Sequence, residues 1–402
     1  MFRTRHLAGW ELRGRVSTNF ISDMIYNDSL SSDIKVINGG EYDLDKIVSV
    51  VDYIMLETTI DALIGDIDKL LIHNNKIYIM DIYKSKSIFI FSCDGKFISR
   101  ISNYGTNNNE YLYLMDMEID TITQQLVLYD RNGGKLLFYD LNGNFIKTKP
   151  LGFRFSNFKI FPNGNYLFFT DNNPNEFVKE ISEYSLLIGA LDGTISYRAL
   201  QNEKFLKDLK FRSVFNLASN GNALYVSPRL LNSIYQIEED GILNLIYQLH
   251  FPSGNIELYK QLNHTQFSQE IANKEYYYSL GGHIVMSDAF FYFEFVRPKN
   301  IINKLWYNRD TKVQYCIERH FSTSGKIITM PRPLLVHNNQ CIGVINAIDV
   351  VKVKSTFVEA NKKYHGTDKI SDHTLQRIEA IKEDDNPLLM IYSINWDNKF
   401  SQ

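Results

Sequence analysis

Four turn dipeptides, Asp94-Gly95, Asn142-Gly143, Asp192-Gly193 and Asp240-Gly241, recur along the chain at intervals of 48, 50 and 48 residues. Matching flanks accompany them. Ile77-Tyr-Ile-Met-Asp81 and Ser87-Ile-Phe-Ile-Phe91 lead to Asp94-Gly-Lys-Phe-Ile98, and Leu126-Val-Leu-Tyr-Asp130 and Lys135-Leu-Leu-Phe-Tyr139 lead to Asn142-Gly-Asn-Phe-Ile146. Leu224-Tyr-Val-Ser227, Ser233-Ile-Tyr-Gln-Ile237 and Asp240-Gly-Ile-Leu243 form a third copy, and a divergent one ends in Leu187-Ile-Gly-Ala-Leu191 and Asp192-Gly-Thr-Ile195. Short β-branched and aromatic strands, four to a unit of about 45 to 50 residues, are the pattern of a β-propeller blade. The missing 3.6-residue period excludes a solenoid of helix pairs. The dipeptides themselves predict two-residue hairpins with positive φ at both central positions.

Further strands follow: Ala289–Val296, Lys304–Tyr307 and Thr311–Cys316 as a fifth unit, then Leu334–Val336 and Cys341–Ala347 as a sixth. Pro387–Ile394 reads as a last strand able to pair with the N-terminal region. The expected fold is all-β, a six-bladed β-propeller of four-stranded antiparallel blades, with seven blades as the alternative. Two insertions read as partly helical. One is 256–275; the other is 371–383, with a cap at Ser371 or Asp372 and Leu375, Ile378 and Ile381 on one face. The latter reads as a helix packed on the rim of a blade, with docking of a partner as the alternative. The expected organisation is an N-terminal segment at 1–33 outside the propeller core, one propeller domain at 34–396 and a tail at 397–402.

Composition narrows the classes. Of 402 residues, 44% are apolar and 13% aromatic, enough for a packed core. The 43 basic and 46 acidic residues leave a net charge of −3, no footprint for nucleic acid. No run approaches 18 apolar residues, so no transmembrane helix is expected. The first fifteen residues, with Arg3, Arg5, Arg13 and Arg15, lack the apolar run of a secretory signal, which leaves three readings: a cytoplasmic protein, a signal already removed or a wrongly assigned start. Cys93, Cys316 and Cys341 form no C-x-x-C pair and read as small buried hydrophobes.

The run Leu56-Glu-Thr-Thr59, Leu63-Ile-Gly-Asp-Ile-Asp-Lys69, Ile77–Asp81, Ser85–Phe91 and Asp94–Ile98 resembles the six-bladed β-propeller proteins of Bacteroides-like gut bacteria, relatives of NHL-repeat and TolB-like propellers. Asp385-Asn-Pro-Leu-Leu-Met-Ile391 resembles that family's closing strand, and the likeness spans about residues 40 to 396. The resemblance implies the fold and a periplasmic or outer-membrane-associated location, with roles largely unassigned. In one loop this chain departs from the family. Where the family reads glycine-rich and ends Gly-Pro-Gly-Glu-Tyr, Gly105-Thr-Asn-Asn-Asn109 precedes Glu110 and Tyr111. The asparagines are expected to keep the loop by tolerating left-handed backbone.

No local catalytic motif appears: no nucleophile elbow, P-loop, dinucleotide fingerprint or H-E-x-x-H. Nine histidines are scattered, and His73 and His337, each before Asn-Asn, read as turn residues. Gly133-Gly134 and Gly281-Gly282 read as turns. Tyr276-Tyr277-Tyr278 and Phe290-Phe291-Tyr292-Phe293 read as strands packed between blades, with an aromatic binding platform as the alternative. The most suggestive stretch is Met115-Asp116-Met117-Glu118-Ile119-Asp120, where period two puts three acids on one face of a predicted channel-lining strand. Asp68 and Lys69, Asn157 and Lys159, and Asn216 stand at corresponding places. Such a channel suits a cation, a sugar or a peptide end, or is simply hydrated. Three functions follow: a non-catalytic binding or scaffold propeller with a protein or carbohydrate ligand, a metal-dependent hydrolase, lactonase or lyase, or a glycan-binding protein. No cofactor motif is evident, although a divalent cation such as calcium would suit oxygen ligands gathered from several blades.

Overall fold

The computed structural model describes residues 14–171, 175–202, 216–228, 231–252, 262–263, 265–266, 269, 278–297, 301–366 and 369–396, the side chains of 278–282 excepted. The tail at 397–402 and nearly all of the 256–275 insertion lie outside these residues, as do Tyr276 and Tyr277. The chain folds into two compact bodies, Met1–Met24 with Ser102–Asn202 and Ile25–Ile101 with Glu203–Gln402. Among the described residues the strands form six mainly antiparallel sheets. The fold is a six-bladed β-propeller, and the seven-bladed alternative falls away.

The first body holds two blades, with strands numbered along the whole chain. Blade two runs β10 (Leu114–Asp120), β11 (Gln125–Asp130), β12 (Lys135–Asp140) and β13 (Phe145–Pro150). Blade three runs β14 (Asn157–Ile160), β15 (Tyr166–Phe169), β16 (Tyr184–Gly189) and β17 (Ile195–Gln201), and β1 (Ser22–Asp23) joins its outer edge in parallel.

The second body holds four blades. Blade one is β6 (Lys69–His73), β7 (Lys76–Asp81), β8 (Ser87–Ser92) and β9 (Phe97–Ile101). Blade four is β18 (Leu217–Asn220), β19 (Ala223–Val226), β20 (Ser233–Ile237) and β21 (Ile242–His250), with β2 (Ile25–Asn27) and β3 (Ser32–Lys35) both parallel to β21. Blade five is β22 (Tyr278–Met286), β23 (Phe290–Arg297), β24 (Ile301–Asn308) and β25 (Gln314–Phe321), extended in parallel by β4 (Gly40–Asp43). Blade six is β26 (Pro333–His337), β27 (Gln340–Ile345) and β28 (Leu388–Ile394), completed by antiparallel β5 (Val48–Met55). The last strand therefore does pair with the N-terminal region. Residues 22–33, read from sequence as outside the propeller core, supply edge strands to blades three and four.

The middle strands are apolar on both faces because they are packed on both faces. In β7 and β8, Ile77, Tyr78, Ile79, Ile88, Phe89, Ile90 and Phe91 are all fully buried, whereas outer β9 alternates. The Asp-Gly and Asn-Gly turns differ from the two-residue expectation. Only the glycines, at φ of 87, 90, 94 and 87°, are left-handed. Each turn repeats one bonding scheme: Gly95 N donates to Ser92 O and Ser92 N to Lys96 O, with equivalents at Gly143, Gly193 and Gly241. A type I turn followed by a glycine bulge makes a three-residue loop. The register slips beside the turns at Gly95, Gly143 and Gly193 and further along the strand, between Ile234 and Tyr235, in the Gly241 unit. Two-residue turns with both positions left-handed do occur, at Asn74-Asn75 after His73 and Asn338-Asn339 after His337.

Asp81 and Asp130, the last residues of β7 and β11, explain why the repeat keeps an acid there. Both are fully buried. Asp81 accepts from the amides of Gly65 (2.9 Å), Asp66 (3.1 Å), Lys84 (2.9 Å) and Ser85 (3.1 Å). Asp130 accepts from Leu112 (3.2 Å), Tyr113 (3.0 Å) and Gly133 (3.0 Å). Each carboxylate thus fastens the loop entering a blade to the turn that follows its second strand.

Two longer helices follow β27. α1 is a single turn at Leu44–Ile47, α2 is Ala347–Lys363 and α3 is Asp372–Ala380. The α3 cap is Ser371, whose hydroxyl accepts from Thr374 N at 3.0 Å, and Leu375 and Ile378 are buried as expected. α2 was read in part as strand: Ala347 opens it, and Val350, Phe357 and Val358 pack inward with the Phe357 ring edge-on to Tyr53.

Two sets of substitutions test this scheme by urea unfolding. A Cβ at Gly164 meets nothing within 4 Å, so Gly164→Ala is expected to cost about 1 kcal/mol for the left-handed backbone alone. At Gly95 a Cβ falls 2.2 Å from Met55 O, so Gly95→Ala is expected to cost at least about 2 kcal/mol. Asp130→Ala takes the acceptor from three part-buried amides and is expected to cost about 2 kcal/mol.

Candidate functional site

The three acids of β10 do share a face, and that face meets blade three. Asp116 is fully buried, its Oδ1 accepting from Met117 N and its Oδ2 from Phe158 N, both at 2.9 Å. Glu118 pairs with Lys159 Nζ at 2.7 Å, both side chains about nine-tenths buried. Asp120 accepts from the turn amides of Ile122 (3.0 Å) and Thr123 (3.1 Å). Asn157, beside Lys159 on β14, is also buried. The structure therefore brings Glu118 and Lys159 together and gives Asp116 to the backbone.

Asp68, Lys69 and Asn216 belong to the second body. Asp68 accepts from Ile82 N at 2.7 Å, and burial, followed by the charges of Asp66 and Asp81, raises its carboxyl above the ordinary range. Lys69 is buried at the start of β6. Asn216 is buried and donates to Ser227 O at 3.2 Å.

The loop at Glu110 and Tyr111 is held differently from the expectation. None of Asn107, Asn108 and Asn109 is left-handed. Instead the Glu110 carboxylate accepts from Asn107 N (2.9 Å) and Asn107 Nδ2 (2.8 Å), which lowers its pKa. The carbonyls of Asn107 and Asn108 accept from Lys135 Nζ (2.9 Å) and the Thr148 hydroxyl (2.6 Å). Tyr111 is buried, and its amide donates to Asn103 O at 2.9 Å. Side-chain hydrogen bonds do here what glycine does elsewhere.

A polar cluster that sequence reading did not assemble lies between blades five and six. Gly281-Gly282-His283 is not a turn. The register of β22 on β23 jumps from Ser279–Phe295 to Ile284–Phe293, so four residues bulge opposite Glu294. His283 sits there at φ 62°, buried, with Nε2–H donating to Pro333 O at 2.7 Å. Glu294 accepts from the buried Tyr292 hydroxyl at 2.5 Å, stands 3.7 Å from Arg332 and pairs in register with Lys304. Tyr392 donates to Pro331 O at 2.6 Å, so the Pro331–Pro333 segment is fixed from both blades. Burial, helped by Arg332 and Lys304, holds His283 well below its ordinary value. The Phe290–Phe293 run is buried strand, as expected, and no platform.

One concavity in the second body is open to solvent. It measures about 590 Å³ and lies between the outer edge of blade four and blade five, lined by Ser32, Asp33, Ile34 and Lys35 of β3, with His250, Tyr307, Lys312 and Gln314. Asp33 and His250 Nε2 are 2.7 Å apart. No three His, Cys, Asp or Glu side chains among the described residues stand together as a metal-binding group. The three cysteines are free, and burial pushes the Cys316 thiol up to about 12.

Residues 31–393 match the family described as Domain of unknown function (DUF4934). The chain belongs to that family. No curated protein matches it. Among solved structures it is similar to a candidate exported protein of Bacteroides fragilis, at 13% identity and a TM-score of 0.70 over 90% of this chain and 100% of that one. It is also similar to a member of the DUF4221 family from Bacteroides vulgatus, at 11% identity and a TM-score of 0.53 over 88% and 99%. These likenesses are of fold. In this family member no helix among the described residues is long and apolar enough to cross a membrane.

The His283 cluster predicts how stability depends on pH. Below the ordinary histidine value of 6.5 the unfolded chain takes up a proton that the buried imidazole refuses. Stability present above pH 6.5 is therefore lost as pH falls toward the depressed folded value, by up to about 1.4 kcal/mol per pH unit. His320, also lowered by burial and Lys304, adds in the same direction. His283→Gln is expected to show a shallower fall between pH 6.5 and 5 in urea unfolding.

Proposed function

We propose that this DUF4934 protein is a non-catalytic binding propeller of the cell envelope and that the groove between blades four and five holds its ligand. One observation carries the reading. The groove gathers two hydroxyls, a carboxylate, two ammonium groups, an imidazole and an amide around a concavity of about 590 Å³, a size that suits a ligand-binding cleft. The acids that looked chemically promising in sequence support the same reading. Asp116 and Asp120 accept from backbone amides, and Glu118 is paired with Lys159. The cell-envelope location rests on the fold likeness to the candidate exported protein of Bacteroides fragilis.

Arrays of cell-surface oligosaccharides and of peptides, followed by calorimetry, test the proposal. The expected result is a ligand whose affinity falls at least about tenfold in Lys312→Glu, with the melting temperature unchanged and the ligand recovered intact. A ligand indifferent to groove substitutions, or one chemically converted on binding, would overturn it.

A further inference from the structure

Resting on the groove as the binding site, we infer that its ligand is an extended acidic peptide that adds as a strand to the open edge of β3. The parallel register of β3 on β21 fixes which backbone groups are already used. Ile34 is paired with Leu249, and Val36 N donates to His250 O at 2.9 Å, so the even-numbered residues face β21. In a parallel ladder the amides of the intervening residues point the other way. Asp33, Lys35 and Ile37 therefore turn their N–H and C=O groups toward the groove.

Gln314 shows what that edge accepts. Its side-chain amide donates from Nε2 to Lys35 O at 2.9 Å and accepts at Oε1 from Ile37 N at 3.3 Å. A planar amide thus occupies one register of the edge as a peptide group of a neighbouring strand would. The next register is framed by Asp33 C=O and Lys35 N–H, and it opens into the groove. A ligand peptide group placed there makes the same pair of bonds, and strand addition then continues along β3.

The side chains around that register set the sign of the ligand. Asp33 already has His250 Nε2 at 2.7 Å, and Lys35 and Lys312 are the two ammonium groups of the walls. Ile34 and Tyr307 belong to the core and floor the groove. A peptide that alternates Asp or Glu with β-branched residues gathers its acids on one face, since alternate side chains of a strand face opposite ways, and its β-branched residues favour the extended backbone.

The test uses the whole chain and a pool of acetylated hexapeptides that alternate Asp or Glu with Val, Thr or Ile, read by fluorescence anisotropy. Binding is expected to weaken at least about tenfold in Lys35→Glu and in Lys312→Glu, at higher ionic strength, and when alternate backbone nitrogens of the peptide are methylated. Lysine-containing counterparts of the pool are expected not to bind. Equal binding of methylated and unmethylated peptides would overturn strand addition. Absence of hexapeptide binding, with an oligosaccharide bound and lost in Lys312→Glu, would keep the groove and overturn the peptide. No ligand sensitive to Lys312→Glu would overturn both.

Discussion

A four-stranded blade ends in an outer strand whose outward N–H and C=O groups need partners, and the treatment of those edges governs much else in this protein. In the first body β1 lies along β17; in the second, β2 and β3 lie along β21, β4 along β25 and β5 along β28. The chain before blade one is therefore largely spent on edges. Blades one and two, which like blade six have no strand beyond their four, are protected otherwise. Phe97 N of β9 donates to the Glu57 carboxylate at 2.8 Å, and β13 carries Lys147 and Lys149 and ends in Pro150, residues that discourage edge pairing. Adding β3 to blade four satisfies one edge and creates another, and that new edge is a wall of the groove.

The blades were legible because their signal is repeated and local. Turn glycines at a constant interval need only a left-handed backbone at one place, and all four supply it. The detailed turn type was not legible, since a glycine after Asp or Asn serves a three-residue loop as well as a two-residue one. The edge strands were missed for a related reason. β1 to β4 are two to four residues long and pair on one side only, which leaves no periodicity to detect. Helix α2 was not read from the sequence, where a strand was carried on to Ala347. The β-branched Ile348, Val350, Val351 and Val353 that follow have strand propensity, and what decides is the packing of Val350, Phe357 and Val358.

The candidate site was far less legible. An acid in an alternating strand looks the same whether it faces a ligand or a backbone amide three ångströms away, and the Asp116 oxygens have the second fate. Gly281-Gly282-His283 did carry a usable signal, because glycines inside a strand pattern mark bulges. The groove carried none. Asp33, His250 and Lys312 come from distant parts of the sequence and meet only because β3 lies on β21 beside blade five.

Residue-resolved amide hydrogen exchange over 32–37 in the ligand-free protein tests the central claim most directly, because it reads the edge without knowledge of the ligand. Slow exchange at Ile34 and Val36, with fast exchange at Asp33 and Lys35, is the alternation that one paired and one open side of β3 predicts. Uniform protection would mean that the groove edge is already filled. Uniformly fast exchange would mean that β3 is not part of blade four.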